Sequence, residues 1–198
     1  MQRMARDGNV DVITGDWLSE MNIAWNAIAK KENPQLGYEV GFLDQLADCI
    51  DDIVVKRIKV ITNAGALNTP FLTQKVKDLC RERGHYNVAV ASVVGDDISH
   101  LLSQSATMKA LKLSHLDHPE QLLEDWHLAP DIQTGVAYLG AKGITAALDA
   151  GADIIVCGRV TDASPVVGAA RWWYGWPEDA FDELAGALVA GRKFPLGT

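Results

Sequence analysis

No apolar run reaches the roughly eighteen to twenty residues that a membrane-crossing helix needs, so a transmembrane helix is not expected. Positive charge is also in short supply. Lys and Arg number 18 against 26 Asp and Glu, for a net charge of -8. Nucleic-acid binders neutralise phosphates with a basic face, and this balance argues against that class of partner. Cysteine is scarce: Cys49, Cys80 and Cys157 cannot all pair and have no metal-ligand spacing, which suits a reduced, cytoplasmic protein. No apolar segment follows Arg3 and Arg6, so no secretory signal is read there. The expected partners are a small-molecule substrate and a second copy of the chain. What the 198 residues do have is an ordinary globular composition, 48% hydrophobic, enough for one core. The expectation is a single α/β domain over residues 1–198.

The chain is organised around Ala152 to Ser164. Ile154 to Cys157 reads as a strand buried on both faces, as parallel strands are. Gly158 allows a sharp turn or a close approach. Thr161, Asp162 or Ser164 can cap the helix that follows. Arg159 then stands between strand and helix, where a cation and free N–H groups meet an anion. The plainer alternative is a solvent-facing Arg beside an ordinary helix start. Cys157 has two readings as well: a nucleophile activated by Arg159 and the helix start, or a buried strand cysteine.

The same pattern of apolar run, glycine and polar residue recurs at Val10 to Asp16, Lys59 to Gly65, Val88 to Asp97 and Ile132 to Gly140. Five strands alternate with helices, which implies a mostly parallel sheet with helices on both faces. An open doubly wound sheet is the first expectation, and part of a larger α/β barrel is the alternative. Ligands of such folds bind at the carboxyl ends of the strands.

Between the strands, Met21, Ala24, Trp25 and Ile28 mark an apolar helix face, and one helix is expected from about Val40 to Arg57. Thr69 reads as an N-cap with Pro70 behind it. Met1 to Asn9 is expected to fray. Residues 107–131 are the least periodic part, a polar excursion, with His115-Leu-Asp-His118 as a weak metal-ligand pattern. Near the end, Val166, Val167, Ala170 and Trp173 are expected to face the core. Pro177 is expected to open a last helix with Phe181, Leu184 and Leu188 on one face. Trp172 to Trp176 reads as a packed helix end or as a ligand-stacking cluster.

Val10 to Glu20, Val60 to Gly65, Gly95 to Asp97, His115 to Asp117, Ala137 to Gly140 and Gly158 to Ser164 together resemble the N-terminal domain of the acyclic terpene utilisation family. The resemblance implies a part in breaking down acyclic terpenoids such as citronellol and geraniol, through branched acyl-CoA thioesters. Two blocks depart from the family pattern: a glycine-rich opening segment is not seen before Val10, and Phe194 to Thr198 does not resemble the family's continuation. A shortened form of the family domain is therefore expected.

The candidate site follows from the strand ends. Asp16, Asp96, Asp97 and Asp162 are carboxylates suited to acid/base chemistry or to holding Mg²⁺ through oxygen ligands. Each Asp alone also fits an ordinary turn or cap. Asn63 and Tyr138 are expected to orient a carbonyl. Gly65, Gly158, Arg159 and Thr161 complete the substrate-binding set, with Arg159 holding an anionic group. The expected function is an enzyme-type domain acting on or binding an acyl-CoA-like substrate. The alternative is a non-catalytic interaction module or an inactive fragment.

Overall fold

A computed structural model describes residues 1–102, 105–125 and 132–192. Four strands, β1 (Val12–Gly15), β2 (Lys59–Thr62), β3 (Val90–Val93) and β4 (Ile154–Cys157), form one all-parallel sheet in the order β1-β2-β4-β3. Val60 pairs with both Ile13 and Ile154, and Ile154 pairs in turn with Val90. The sheet is open, so the doubly wound expectation holds and the barrel alternative does not.

The helices are α1 (Gln2–Asp7), α2 (Glu20–Glu32), α3 (Val40–Ala47), α4 (Ile50–Lys56), α5 (Thr69–Glu82), α6 (Ser99–Leu102), α7 (Ser105–Leu111), α8 (Lys142–Asp149), α9 (Ser164–Tyr174) and α10 (Phe181–Arg192). The chain steps outward from β1 to β2 to β3, then turns back to β4. Right-handed crossovers put the helices of outward steps on one face and the helix of a return step on the other. The two cores agree. Phe42, Leu46, Ile50, Ile53, Leu72 and Val76 pack with Ile13, Val60, Ile154 and Val156 on the first face. Ile144, Leu148 and Ala169 pack with Ile61, Val93, Ile155 and Cys157 on the second. Successive β4 residues serve opposite cores, which is why that strand is apolar throughout.

Several local expectations are corrected. The first residues form α1, with Ala5 fully buried. The helix expected over 40–57 is two, broken where Cys49 leaves helical geometry at φ -143°. Leu46 and Ile50, on either side of the break, are both fully buried. Asn68, not Thr69, precedes α5, and Thr69 is its first helical residue. The strand expected over 132–138 makes only isolated bridges, Val136 to Asp97 and Leu139 to Val160. Its partners are loops beyond the strand ends, so it lies across the carboxyl edge and adds nothing to the sheet. Ala163 stands at the boundary of α9 without a side-chain cap, so none of the three predicted residues caps it directly. Thr161 and Ser164 pair with each other, Oγ to Oγ at 2.6 Å. Trp173 is exposed, as are Phe181 and Leu188. Ala187 and Gly191 are the buried residues of α10, which starts at Phe181, four residues after Pro177.

The helix α2 is turned away from its predicted face. Met21, Trp25 and Ile28 are exposed, and Ile23 and Asn26 are buried. The reason is what the helix covers. It packs over the loop after β2, where Ile23 and Ala27 meet Leu18, Ala66 and Leu67, and a narrow strip suffices there. Ile23→Ala is therefore expected to cost about 2–4 kcal/mol, as deleting buried methylenes does. Trp25→Ala, despite removing more atoms, is expected to stay within about 0.5 kcal/mol, as exposed sites do. Urea unfolding of the two variants checks the orientation.

Candidate functional site at the carboxyl edge

Strands β2 and β4 are neighbours, but the chain leaves β2 for α5 on one face and β4 for α9 on the other. A crevice opens where such connections diverge. Here the two turns touch. The Gly65 N–H donates to the Cys157 carbonyl at 3.0 Å, and a Cβ on Gly65 would lie 2.5 Å from that same oxygen. Only glycine fits there.

Asn63, fully buried, ties the β1 and β2 loops together. Its Oδ1 accepts the Trp17 N–H at 2.7 Å and its Nδ2 donates to Asp16 Oδ1 at 2.7 Å. Asp16 also accepts the Leu18 N–H at 3.3 Å. On the other side of the sheet centre, Asp96 is 4% exposed, and its Oδ2 accepts the Arg159 N–H at 2.5 Å. A side chain on Gly158 would run into this carboxylate. Burial pushes the Asp96 pKa above its ordinary value, against the pull of the Arg159 N–H. Asp97 is held below its ordinary value. Its partial burial works upward, but the Ser99 hydroxyl and N–H and the Lys30 ammonium outweigh it.

Arg159 is at the centre. It is 3% exposed. Its Nη1 donates to the Leu18 carbonyl at 2.7 Å and its Nη2 to Glu20 Oε1 at 3.3 Å. Asp162 Oδ1 is 3.6 Å from Nη2. The Tyr138 ring lies 4.0 Å from the guanidinium carbon, and its hydroxyl donates to Glu20 Oε1 at 2.6 Å. Tyr138 arrives on the 132–140 segment, which is fastened by the Ala137 N–H to the Asp96 carbonyl and the Leu139 N–H to the Arg159 carbonyl. In turn the Thr161 N–H donates to the Leu139 carbonyl. A cleft of about 350 Å³ opens against Arg159, Tyr138, Thr161 and Asp162. A second, of about 250 Å³, is lined by Asp96, Asp97, Lys30 and the start of α5.

The sequence-predicted site residues follow the carboxyl ends of the strands; hydrogen bonds join Asn63, Asp16, Leu18 and Arg159, with Glu20 bridging Arg159 to Tyr138, whereas Asp97 pairs separately with Ser99 and Lys30. The cleft lined by Lys59, His85 and Asp153, of about 460 Å³, is at the opposite edge and contains none of them. Three participants were not singled out from the sequence: Glu20, the Leu18 carbonyl and Lys30, which pairs with Asp97 at 3.8 Å. Glu20 could have been sought as an acid in the first turn after a predicted strand end. The Leu18 carbonyl leaves no signal in the sequence. The nucleophilic reading of Cys157 is corrected: full burial pushes its thiol up to about 12, so it is a neutral core residue. His115 Nδ1 accepts the N–H groups of Asp117 and His118, a local turn. His127 lies outside the described residues. Among the described residues no group of three or more His, Cys, Asp or Glu is arranged to hold a metal ion. Nor is any helix there long and apolar enough to cross a membrane.

An open parallel α/β sheet with its polar groups gathered at a topological switch point defines a fold class, the open α/β proteins. Residues 1–193 match the family described as acyclic terpene utilisation family protein AtuA, and the chain belongs to that family. Its role is accordingly in acyclic terpene utilisation. No curated protein and no solved structure matches the chain.

The Asp96 shift has a direct consequence for stability. The folded state holds the Asp96 proton more tightly than the unfolded chain does, where the ordinary value is 3.8. Its contribution therefore favours folding at low pH and is lost as pH rises through the raised folded value. Asp96→Asn should match the parent at acid pH and gain on it as pH rises through the raised folded value, by this linkage. Thermal melts of both chains across that range check the sign.

Proposed function

We propose that the carboxyl edge is the substrate site of an enzyme-type domain that takes an acyl-CoA-like thioester of an acyclic terpenoid acid. The observation that carries this reading is Asp96: a buried carboxylate, biased toward its protonated form, at the crevice between diverging connections. A carboxyl that holds its proton more tightly than usual is a candidate for proton transfer. Asn63 fixes the relative position of the first two loops, so a carbonyl entering the crevice would meet a preset wall. Tyr138 presents its hydroxyl at the rim. Asp16, Asp97 and Asp162 already have partners in Asn63, Ser99 with Lys30, and Arg159. They are more exposed than Asp96 and are read as groups that shape the edge; Asp96 is read as the acid/base because it is the buried one, its proton held more tightly than usual. Three unpaired buried cysteines fit a reducing, cytoplasmic setting.

The reading is tested by titrating the chain with citronellyl-CoA and geranyl-CoA and following the melting temperature. A bound ligand adds about 2.7 kcal/mol at a hundredfold excess over Kd. Asp96→Asn should keep that shift and reduce conversion of the thioester, followed by mass spectrometry, by about 10²- to 10⁴-fold. Undiminished conversion would remove Asp96 from the chemistry.

A second reading, association of copies, has an observation of its own. β1 is an edge strand, and a groove of about 720 Å³ runs along it between Met4 on one side and Trp173 and Tyr174 on the other. Free strand edges flanked by apolar side chains pair readily. Sedimentation velocity over a hundredfold range of concentration, about 1 to 100 μM, should then show a dimer that Thr14→Pro disperses, since proline blocks strand pairing. A concentration-independent monomer would end this reading.

A further inference from the structure

Arg159 is paired unevenly. Its side chain is 4% exposed, but that of Glu20, its carboxylate partner, is 81% exposed. A buried ion pair usually hides both charges, because a desolvated charge needs a fixed partner. Glu20 instead reaches in from solvent, where water screens the pair and holding the side chain in place costs entropy. It can therefore swing away at little cost. The guanidinium is also short of acceptors. It carries five N–H donors, yet Nε is buried without a partner, and Asp162, half exposed, stands beyond hydrogen-bond distance at 3.6 Å. Buried donors are ordinarily satisfied.

The surroundings are prepared for a carboxylate. The Tyr138 ring holds the guanidinium plane from one side, as aromatic faces do, and the Tyr138 hydroxyl and Arg159 Nη2 converge on a single oxygen, Glu20 Oε1. The cleft of about 350 Å³ in front of them has Ala163 and Leu188 among its walls, room and apolar surface for a short hydrocarbon chain.

We infer that Glu20 is a resident competitor: it occupies the place on Arg159 and Tyr138 that the carboxylate of a small aliphatic acid takes when the cleft is filled. This rests on the carboxyl edge being the substrate site and gives that site a second, acid-recognising arm. A ligand must displace Glu20, so its affinity is reduced by the fraction of time Arg159 is free. Affinity is then set by Glu20 as much as by the ligand's own contacts.

The test uses the full chain and isothermal titration with acetate, isovalerate, octanoate and inorganic phosphate, against the parent, Glu20→Gln and Asp162→Asn. Glu20 is exposed, so Glu20→Gln retains the fold, and a cooperative melt verifies this. If Glu20 holds Arg159 about nine-tenths of the time, Glu20→Gln binds isovalerate about tenfold more tightly than the parent. Equal affinities of parent and Glu20→Gln, or tightening by Asp162→Asn alone, would overturn the inference, as would a preference for phosphate over every carboxylate. Titration of the same variants with citronellyl-CoA separates the two claims. Thioester binding with no Glu20 effect on carboxylates sinks the competitor and leaves the site reading standing. Tighter carboxylate binding without thioester binding does the reverse.

Discussion

A carboxylate removed from water must be given hydrogen-bond donors, and at the carboxyl edge the donor is the backbone of β4's exit turn. Asp96 accepts the Arg159 N–H, and leaving that buried N–H without an acceptor would cost about 1–3 kcal/mol. The approach is so close that a side chain at position 158 would push the carboxylate out of place. Once Arg159 is pinned through its backbone, its side chain points across the edge to the Leu18 carbonyl and to Glu20. One interaction after β3 therefore fixes the β4 turn, the β4 turn fixes the loop after β1, and the Tyr138 segment closes over all three.

This wiring is possible because of the order in which the strands were laid down. Had the chain continued outward after β3, α8 would lie on the same face as α5, and the loops after β2 and β4 would leave the sheet side by side. The return step sends them to opposite faces. The gap that results is where Gly65 and Cys157 meet and where polar side chains can gather without entering either core. Both faces of the sheet are covered, so backbone ends and solvent coincide at its edges, and the carboxyl edge is the one with the diverging connections.

The strands and their end residues were legible in the sequence because β4 is apolar at every position and each run closes on a turn former. Arg159 was legible as a cation at a strand end, but its immersion was not. Nothing local announces that a carbonyl 141 residues earlier will receive its proton donor. Glu20 was not singled out, because an acid in a first helical turn is an ordinary complement to the helix dipole. The α2 face was misjudged for a physical reason. Hydrophobic periodicity marks which side of a helix is apolar, and burial depends on whether a sheet face or only a loop lies beneath. For 132–138 the residue pattern of a strand was present, but pattern does not choose partners, and the partners available were loops.

The charge of the molecule bears on how an anionic ligand would be held. At a net charge of -8 the chain as a whole repels anions at long range. Glu20, Asp96, Asp97 and Asp162 add to this locally. Recognition must then come from short-range terms: a guanidinium already stripped of water, which attracts strongly over a few ångströms, and apolar walls that reward burial of a hydrocarbon chain by about 25 cal/mol per Å². Ligands that are only charged would gain little from such an edge, and ligands that are only apolar would leave Arg159 to Glu20. A carboxylate with a branched hydrocarbon body would use both terms.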